Sequence, residues 1–315
     1  MKRFSILVMV VMLALSLCGC DDKGKVEKNG DNKVDKQAED KKDAWDVTSY
    51  EDLEDIEYIS ELEVDSETII NESVKTYEIM YKSDDCSVLS YISIPEDCLK
   101  EKKAYPVIIY NRGGNRDFGT NNKDMITSMA SGLNKIVFAS NYRGNLRSTG
   151  KDEFGGADVN DVIKLLDLCE KFEFADSNNM YMLGVSRGGM MTYMAAHRDS
   201  RIKKIAIVSG LADAFMSYDE RDDMKPIMKE LIGGTPTELP EEYKKRSGVY
   251  WANEINCPAL IIHSKNDIRV SFAQAEKMVS ALKKANKECE FIQYEDDIHG
   301  FHQEDFNKIA EWFDK

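Results

Sequence analysis

Ser186 has the sequence setting in this chain that most clearly suggests chemistry. It lies in Gly184-Val-Ser-Arg-Gly-Gly189, between an apolar run and a segment that we predict to become helical near Met190. A strand that turns sharply into a helix leaves room only for small residues beside the apex, and a serine there faces solvent at the positive end of the helix. The motif alone is common by chance, so Ser186 is a credible nucleophile only if its partners exist elsewhere.

A serine hydroxyl reacts when an imidazole takes its proton, and that imidazole needs a carboxylate to fix its tautomer. The chain contains four histidines. His299 and His302 lie in a loop after the last predicted strand, and we expect His299 to be the base, with His302 as its rival. His197 near a helix end and His263 inside an apolar strand are expected to be structural.

Asp267 is the expected carboxylate, in the loop after the preceding strand. Asp296 and Asp297 are alternatives, but they adjoin His299 on its own loop and would not easily reach its far nitrogen. The order Ser186, Asp267, His299 is that of the α/β-hydrolases. All three residues follow predicted parallel strands, at the sheet edge where ligands bind.

The elements that must position these residues alternate between strand and helix. Strands are predicted at 74–81, 88–94, 105–110, 135–140, 180–183, 202–208, from 258, and at 290–294; helices are predicted at 122–132, 158–172, from near 190 to 197, 272–282 and 306–313. The alternation predicts an α/β fold with a mostly parallel, doubly wound sheet, preceded by an antiparallel hairpin. Residues 211–256 break the rhythm as a helical insertion, either a lid that moves or a fixed excursion.

Two glycines follow the predicted strand at 105–110, in Asn111-Arg-Gly-Gly-Asn115. Glycine lets backbone N–H groups approach a ligand closely, as an oxyanion hole requires, although a tight turn would also explain the pair. We therefore include this segment in the predicted site.

Residues 74–314 resemble the catalytic domain of the prolyl oligopeptidase family and are also similar to dienelactone-hydrolase-like esterases. The resemblance rests on segments 105–114, 141–144, 184–189, 231–247, 263–270 and 299–301. It implies an α/β-hydrolase fold with Ser186 as nucleophile, Asp267 as acid and His299 as base. It also implies that the backbone N–H of Arg187 is one oxyanion donor.

Two features depart from the family pattern. Family peptidases usually carry a β-propeller or another large N-terminal domain, and the segment before residue 74 is too short for one. They also typically have a tyrosine before the glycine of the oxyanion loop, where this chain has Arg112. We expect the second oxyanion donor to be a backbone N–H near Gly113 or the Arg112 guanidinium, which could instead clamp a substrate carboxylate.

The N-terminal residues are typical of export and membrane-anchoring signals. Residues 1–19 have a basic start and a short apolar run, and Leu17-Cys-Gly-Cys20 resembles a bacterial lipobox. This resemblance implies a lipid on Cys20 and an extracytoplasmic protein held at the membrane, with ordinary secretion as the alternative. Residues 20–45 are predicted to be a disordered charged tether and residues 46–73 an acidic extension, before a catalytic domain at 74–315.

Charge and cysteine content narrow the function further. The net charge of −15 argues against nucleic acid as a partner. The cysteines after Cys20 are odd in number, so they cannot all pair. Bridges Cys86–Cys98 and Cys257–Cys289 are conceivable, but free thiols are favoured, and we expect no metal or organic cofactor.

The sequence therefore predicts a serine hydrolase that acts on a small peptide, amide or carboxylic ester. A carboxylesterase of dienelactone-hydrolase type and a noncatalytic ligand-binding lipoprotein are the alternatives. The oligomeric state is left open.

Overall fold

A nine-stranded sheet runs through the part of the chain that the computed structural model describes, residues 44–315. Its strands are β1 (Ile56–Leu62), β2 (Val74–Ser83), β3 (Cys86–Pro95), β4 (Tyr105–Asn111), β5 (Ile136–Ser140), β6 (Ala175–Val185), β7 (Ile202–Val208), β8 (Ala259–Ser264) and β9 (Cys289–Tyr294). They lie in the order β1-β2-β3-β5-β4-β6-β7-β8-β9. The pairs from β5 to β9 are parallel, and β1, β2 and β3 join antiparallel.

Helices cover the sheet. They are α1 (Glu96–Glu101), α2 (Lys123–Leu133), α3 (Asp158–Cys169), α4 (Arg187–Arg198), α5 (Ala214–Glu220), α6 (Lys225–Ile232), α7 (Pro240–Lys245), α8 (Phe272–Lys284) and α9 (Asp305–Asp314). One apolar layer packs α3 and α8 against the sheet, and the other packs α2 and α9. The predicted α/β-hydrolase architecture, with its mostly parallel doubly wound sheet, is confirmed.

The central parallel strands β4, β5, β7 and β8 are largely buried on both faces, as their apolar sequences require, whereas the edge strand β9 is partly exposed. Every residue of β5 and β8 is buried. The carboxyl ends of β4, β6, β7, β8 and β9 reach the same edge of the sheet, and the loops from that edge carry the candidate site.

The acidic segment 46–73 contributes more structure than its sequence suggests. We predicted no strand in this acidic extension, but it contains β1, which pairs antiparallel with β2. Trp45, which we placed in the tether, donates its N–H to Leu99 O at 3.0 Å and packs against the core. The buried residues Ile56 and Ile59 attach β1 to the core. Acidic residues at the exposed positions of β1 made this strand difficult to recognise from the sequence.

Insertion 211–256 carries α5, α6 and α7 with two short 3-10 helices, so its predicted helical character is observed. The five cysteines of the described residues are free thiols, which rules out the two conceivable bridges. No helix within residues 44–315 has the length and apolar character needed to cross a membrane. The predicted signal at 1–19, the lipid site at Cys20 and the tether up to residue 43 lie outside the described residues.

Candidate active site

Ser186 occupies a sharp turn between β6 and α4, with φ of 56°. Positive φ is strained for any residue but glycine and marks a serine held at a strand-to-helix apex. The glycines are needed because a Cβ on Gly188 would lie 1.8 Å from Asn111 O. The helix begins at Arg187, not near Met190 as predicted, since Gly188 and Gly189 belong to its first turn despite their low helix propensity.

Asp267 and His299 meet at the ends of β8 and β9. Asp267 Oδ2 lies 2.8 Å from His299 Nδ1. Asp267 Oδ1 accepts the backbone N–H groups of Arg269 at 2.8 Å and Val270 at 3.1 Å. Burial alone would raise the pKa of Asp267, but hydrogen bonds from His263 and His299 outweigh it and hold that pKa below its usual value. The carboxylate is therefore ionised and fixed in orientation behind the imidazole.

His263 is buried, with its Nε2 at 2.8 Å from Val270 O and 3.4 Å from Asp267 Oδ2. Because a carbonyl can only accept, Nε2 carries a hydrogen. His263 thus braces the turn that carries Asp267, in keeping with the structural role that we expected for it.

The rival residues of the last loop have other partners. His302 Nε2 lies 2.9 Å from Asp296 Oδ2, and His302 Nδ1 lies 3.3 Å from Asp305 Oδ2. Both ring nitrogens therefore face carboxylates, and the ring stacks on Tyr294. Asp296 is engaged with His302, while Asp297 is exposed. His197 is half-buried, its ring contacts Trp251, and its Nδ1 lies 3.4 Å from Glu254 Oε2, so it too has other partners.

The loop that carries His299 is held from a neighbouring strand by a residue that sequence reasoning missed. Gly300 N–H donates to Ser209 Oγ at 3.2 Å. Ser209 follows β7, is buried and has φ of 49°. Nothing in the sequence distinguishes it from other serines, because its role depends on β7 lying beside β8 in the sheet.

Ser186 and His299 line the same cavity, of about 490 Å³. Gly113 lies against the serine: a Cβ on Gly113 would be 3.0 Å from Ser186 Cβ and 3.6 Å from its Oγ. Arg187 is the first residue of α4, so its N–H has no partner within the helix. The backbone of these two residues borders the space above the serine.

Arg112 does not reach this cavity, which corrects the donor and clamp roles that we considered for its guanidinium. The side chain is fully buried and donates to four backbone carbonyls, those of Asn141, Gly113, Phe118 and Arg116, at 2.9–3.3 Å. The guanidinium donors of Arg112 are thus used to hold the glycine-containing loop at 113–118 in place. Desolvation by burial and the charge of Arg187 lower the pKa of Arg112 to about 10.

The Arg187 side chain is buried and anchors the turn through its ion pairs. It makes paired hydrogen bonds of 2.8 and 2.7 Å to Asp152 and also contacts Asp158. The Tyr142 ring lies 5.0 Å from the Arg112 guanidinium and 5.2 Å from that of Arg187. We call Arg112, Arg187, Asp152 and Asp158 the buried charge cluster. Its formal charges cancel.

Asp152 and Tyr142 were missed as members of the site. Burial raises the pKa of Asp152, but the charge and hydrogen bonds of Arg187 prevail and lower it to about 2. Tyr142 donates its hydroxyl hydrogen to Arg112 O at 3.1 Å, directly before Gly113. An arginine that is buried in the first turn of a helix needs a carboxylate partner, because an unpaired buried charge is costly. The position of Arg187 in the sequence therefore indicated that such a partner exists.

A larger groove of about 1500 Å³ lies on the other side of Asp152, between α7 and the loop at 144–157. Its walls carry both signs of charge, and neither Ser186 nor His299 lines it. The smaller cavity is therefore the one that the candidate chemistry can use.

The prolyl oligopeptidase family model matches residues 120–315, which is well over half of the chain. The chain belongs to the prolyl oligopeptidase family. This member is 30% identical over 241 residues to "Uncharacterized peptidase YtmA" of Bacillus subtilis, covering 76% of this chain and 92% of that protein. Family membership and its peptidase-named relatives make it an enzyme of the serine hydrolase class.

Other relatives are longer than this family member. It is 25% identical over 262 residues to "Dipeptidyl-peptidase 5" of Porphyromonas gingivalis, covering 75% of this chain but 37% of that protein. A solved acylaminoacyl peptidase of Pyrococcus horikoshii has the same fold, with 24% identity and a TM-score of 0.67 over 77% of this chain and 42% of that one. The chain thus spans about two fifths of these relatives, or less.

Proposed function

We propose that this enzyme hydrolyses a peptide or amide bond through an acyl-enzyme on Ser186. The observation that carries the proposal is the 2.8 Å contact between Asp267 and His299 Nδ1 beside a cavity that Ser186 also lines. In this arrangement the carboxylate fixes the imidazole so that its Nε2 can accept a proton.

Ser186 Oγ attacks the carbonyl carbon while His299 takes the hydroxyl proton. The backbone N–H groups of Arg187 and Gly113 stabilise the negative oxygen that develops. His299 then gives the proton to the leaving nitrogen or oxygen, and the bond to it breaks. Water, deprotonated by His299, then attacks the acyl carbon of the acyl-enzyme. The bond from that carbon to Ser186 Oγ breaks, His299 returns the proton to Oγ, and the acid leaves.

An amide substrate is favoured over an ester by the names of the relatives, among them "Acylamino-acid-releasing enzyme 1" of Oryza sativa, which is 22% identical over 256 residues. The carboxylesterase alternative uses the same residues and differs only in the leaving group. A panel of p-nitrophenyl esters and aminoacyl p-nitroanilides, assayed with the wild type and Ser186→Ala, tests the choice. Turnover of the anilides supports the amide proposal, whereas turnover of the esters alone refutes it.

We also propose that the enzyme works outside the cytoplasm, anchored by lipid on Cys20. The basic start, short apolar run and Leu17-Cys-Gly-Cys20 support this, and the charged residues up to 43 would give the domain reach from a membrane surface. Metabolic labelling with a radioactive fatty acid should mark the wild type and not Cys20→Ala. Equal labelling of both proteins would refute the anchor.

A further inference from the structure

The two backbone N–H groups proposed to stabilise the oxyanion belong to different elements of the fold. Gly113 follows β4, whereas Arg187 is the first residue of α4. Two donors stabilise a developing negative charge together only when both point at one oxygen, which requires their positions to be held to within about 0.5 Å. Some contact must therefore fix the end of β4 relative to α4.

A buried side-chain hydrogen bond joins these two elements. Asn111, the last residue of β4, donates from Nδ2 to Thr192 Oγ1 at 2.8 Å. Thr192 lies on α4, and both residues are fully buried. Neither of them lines the cavity of Ser186, so neither contacts a substrate there. The bond thus connects the strand that leads to Gly113 with the helix that Arg187 begins.

The backbones of these elements already touch at this junction. A Cβ on Gly188 would lie 1.8 Å from Asn111 O, and one on Gly184 would lie 2.3 Å from Thr192 Oγ1. Gly184 is also the residue of β6 that pairs with Asn111 in the sheet. These contacts prevent β4 and α4 from moving closer, whereas the hydrogen bond opposes their separation. Together they define one spacing between the two elements.

Other contacts hold each donor separately. Arg112 binds carbonyls of the loop at 113–118, and Arg187 is held by the carboxylates of the buried charge cluster. Among residues 44–315, one further side-chain hydrogen bond links this loop with α4, from Arg187 Nη1 to Gly114 O, and it is long, at 3.4 Å. The hydrogen bond between β4 and α4 is therefore the shorter link between the two donors.

Stability alone does not account for a polar pair at this junction. Asn111 Oδ1 is buried and has no hydrogen-bond partner among residues 44–315. The second contact of Nδ2 is Met182 Sδ, a weak acceptor, at 3.7 Å. An unpaired buried polar atom is costly, and two apolar side chains of similar shape would avoid that cost. The pair is therefore better explained by the geometry that it imposes.

We propose that Asn111 and Thr192 are positioning residues that hold the N–H groups of Gly113 and Arg187 at the spacing that the oxyanion requires. This inference rests on the proposed function, because it explains how the two donors of that reaction are aligned. The oxyanion develops only as Ser186 attacks, so a loosened pair should weaken binding of the transition state and not of the substrate. Loss of the pair should thus lower kcat and leave KM unchanged.

Substitutions at Thr192 test the role of its hydroxyl. Thr192→Val removes the hydroxyl at nearly constant shape, and Thr192→Ser keeps it. With the p-nitrophenyl ester or p-nitroanilide that the wild type hydrolyses, we expect kcat to fall about tenfold in Thr192→Val at unchanged KM, because a donor is displaced and not lost. The kcat of Thr192→Ser should remain within about twofold of the wild type. A wild-type kcat in Thr192→Val, or a loss confined to KM, would overturn the inference.

Thr127→Val is the matched control for the loss of a buried hydroxyl. Thr127 Oγ1 lies 2.7 Å from Thr76 Oγ1, and both residues are buried and outside the cavity lining. In urea denaturation this variant should lose stability much as Thr192→Val does, but its kcat should equal that of the wild type. An equal loss of kcat in both variants would reflect destabilisation in general and would contradict the positioning role.

The double variant Asn111→Leu/Thr192→Val separates alignment from stability. It leaves no polar side chain unpaired at the junction, so its free energy of unfolding should equal or exceed that of Thr192→Val, while kcat stays about tenfold below the wild type. It also supplies the kinetic comparison if the single variant does not fold. Recovery of wild-type kcat together with stability would refute the inference.

Labelling of Ser186 by a fluorophosphonate separates failure of this inference from failure of the proposed function. A wild type that is labelled and turns over substrate, with an equally fast Thr192→Val variant, retains the proposed function and loses the inference. A wild type that is neither labelled nor active on any ester or anilide of the panel loses the proposed function itself.

Discussion

The two sides of the turn at Ser186 and Arg187 differ in how fully their polar groups are paired. On the cavity side, Ser186 and His299 are partly exposed, and the imidazole is held through Nδ1 alone. On the buried side, Arg112 and Arg187 are enclosed, and among their donor atoms only Arg187 Nε has no hydrogen-bond partner. Ser186 and His299 can therefore react with a substrate, while the buried charge cluster, which takes no part in the reaction, holds the backbone around them.

This comparison predicts that variants on the cavity side alter chemistry and leave stability nearly unchanged. Replacing His299 by alanine removes the proton acceptor and should lower kcat about 10³-fold or more. His302→Gln, which keeps an amide donor near Asp296, should lose less than about tenfold. Steady-state assays and thermal unfolding of both variants check this, and a larger loss in His302→Gln would make His302 the base.

Variants on the buried side should act mainly on stability. Asp152→Asn removes one of the two carboxylates that neutralise Arg187 and should cost about 3 kcal/mol in the free energy of unfolding. Urea denaturation measures it, with the neighbouring, more exposed Glu153→Gln as the matched control. A loss below about 1 kcal/mol would show that the buried charge cluster does not anchor the turn.

Arg112 sharpens the comparison, because it lies next to the oxyanion segment and yet faces away from the cavity. Lysine keeps the charge but cannot span four carbonyls, so Arg112→Lys should destabilise the fold by about 2 kcal/mol and lower kcat by loosening Gly113. A variant with unchanged stability and kcat but a raised KM for an acidic substrate would instead restore the clamp role.

Acid should weaken the buried side at a defined pH. The folded pKa of Asp152, about 2, is below its ordinary value of 3.8, so its stabilising contribution is present above about pH 4. It is lost as the pH falls from about 4 towards 2, and amounts to about 2 kcal/mol. The unfolding free energy of Asp152→Asn should therefore fall less steeply than that of the wild type across this range.

Much of the cavity side was predictable from local sequence. The apolar runs gave the parallel strands, and Ser186, Asp267 and His299 could be selected because each follows a strand in an order that one fold uses. The need for glycine beside Ser186 could be predicted because a larger side chain does not fit next to the turn. These features depend on neighbours in sequence and on the common edge of a parallel sheet.

The buried side was not predictable in the same way. Arg112 was placed in the cavity because it is adjacent to Gly113, and only the folded loop at 113–118 turns its carbonyls back over the guanidinium. Likewise, Asp152 meets Arg187 from a loop 35 residues away. The strand β1 was missed because its exposed acidic positions obscured its buried ones. Contacts between distant segments decided each case.

The central claim is that Ser186 is the residue that carries the acyl group. Treating the purified enzyme with a fluorophosphonate and mapping the modified peptide by mass spectrometry tests it directly. We expect one adduct per chain on Ser186, formed slowly in Asp267→Asn and absent in Ser186→Ala. A wild-type enzyme that hydrolyses its substrate yet carries no adduct on Ser186, or carries it on another serine, would contradict the claim.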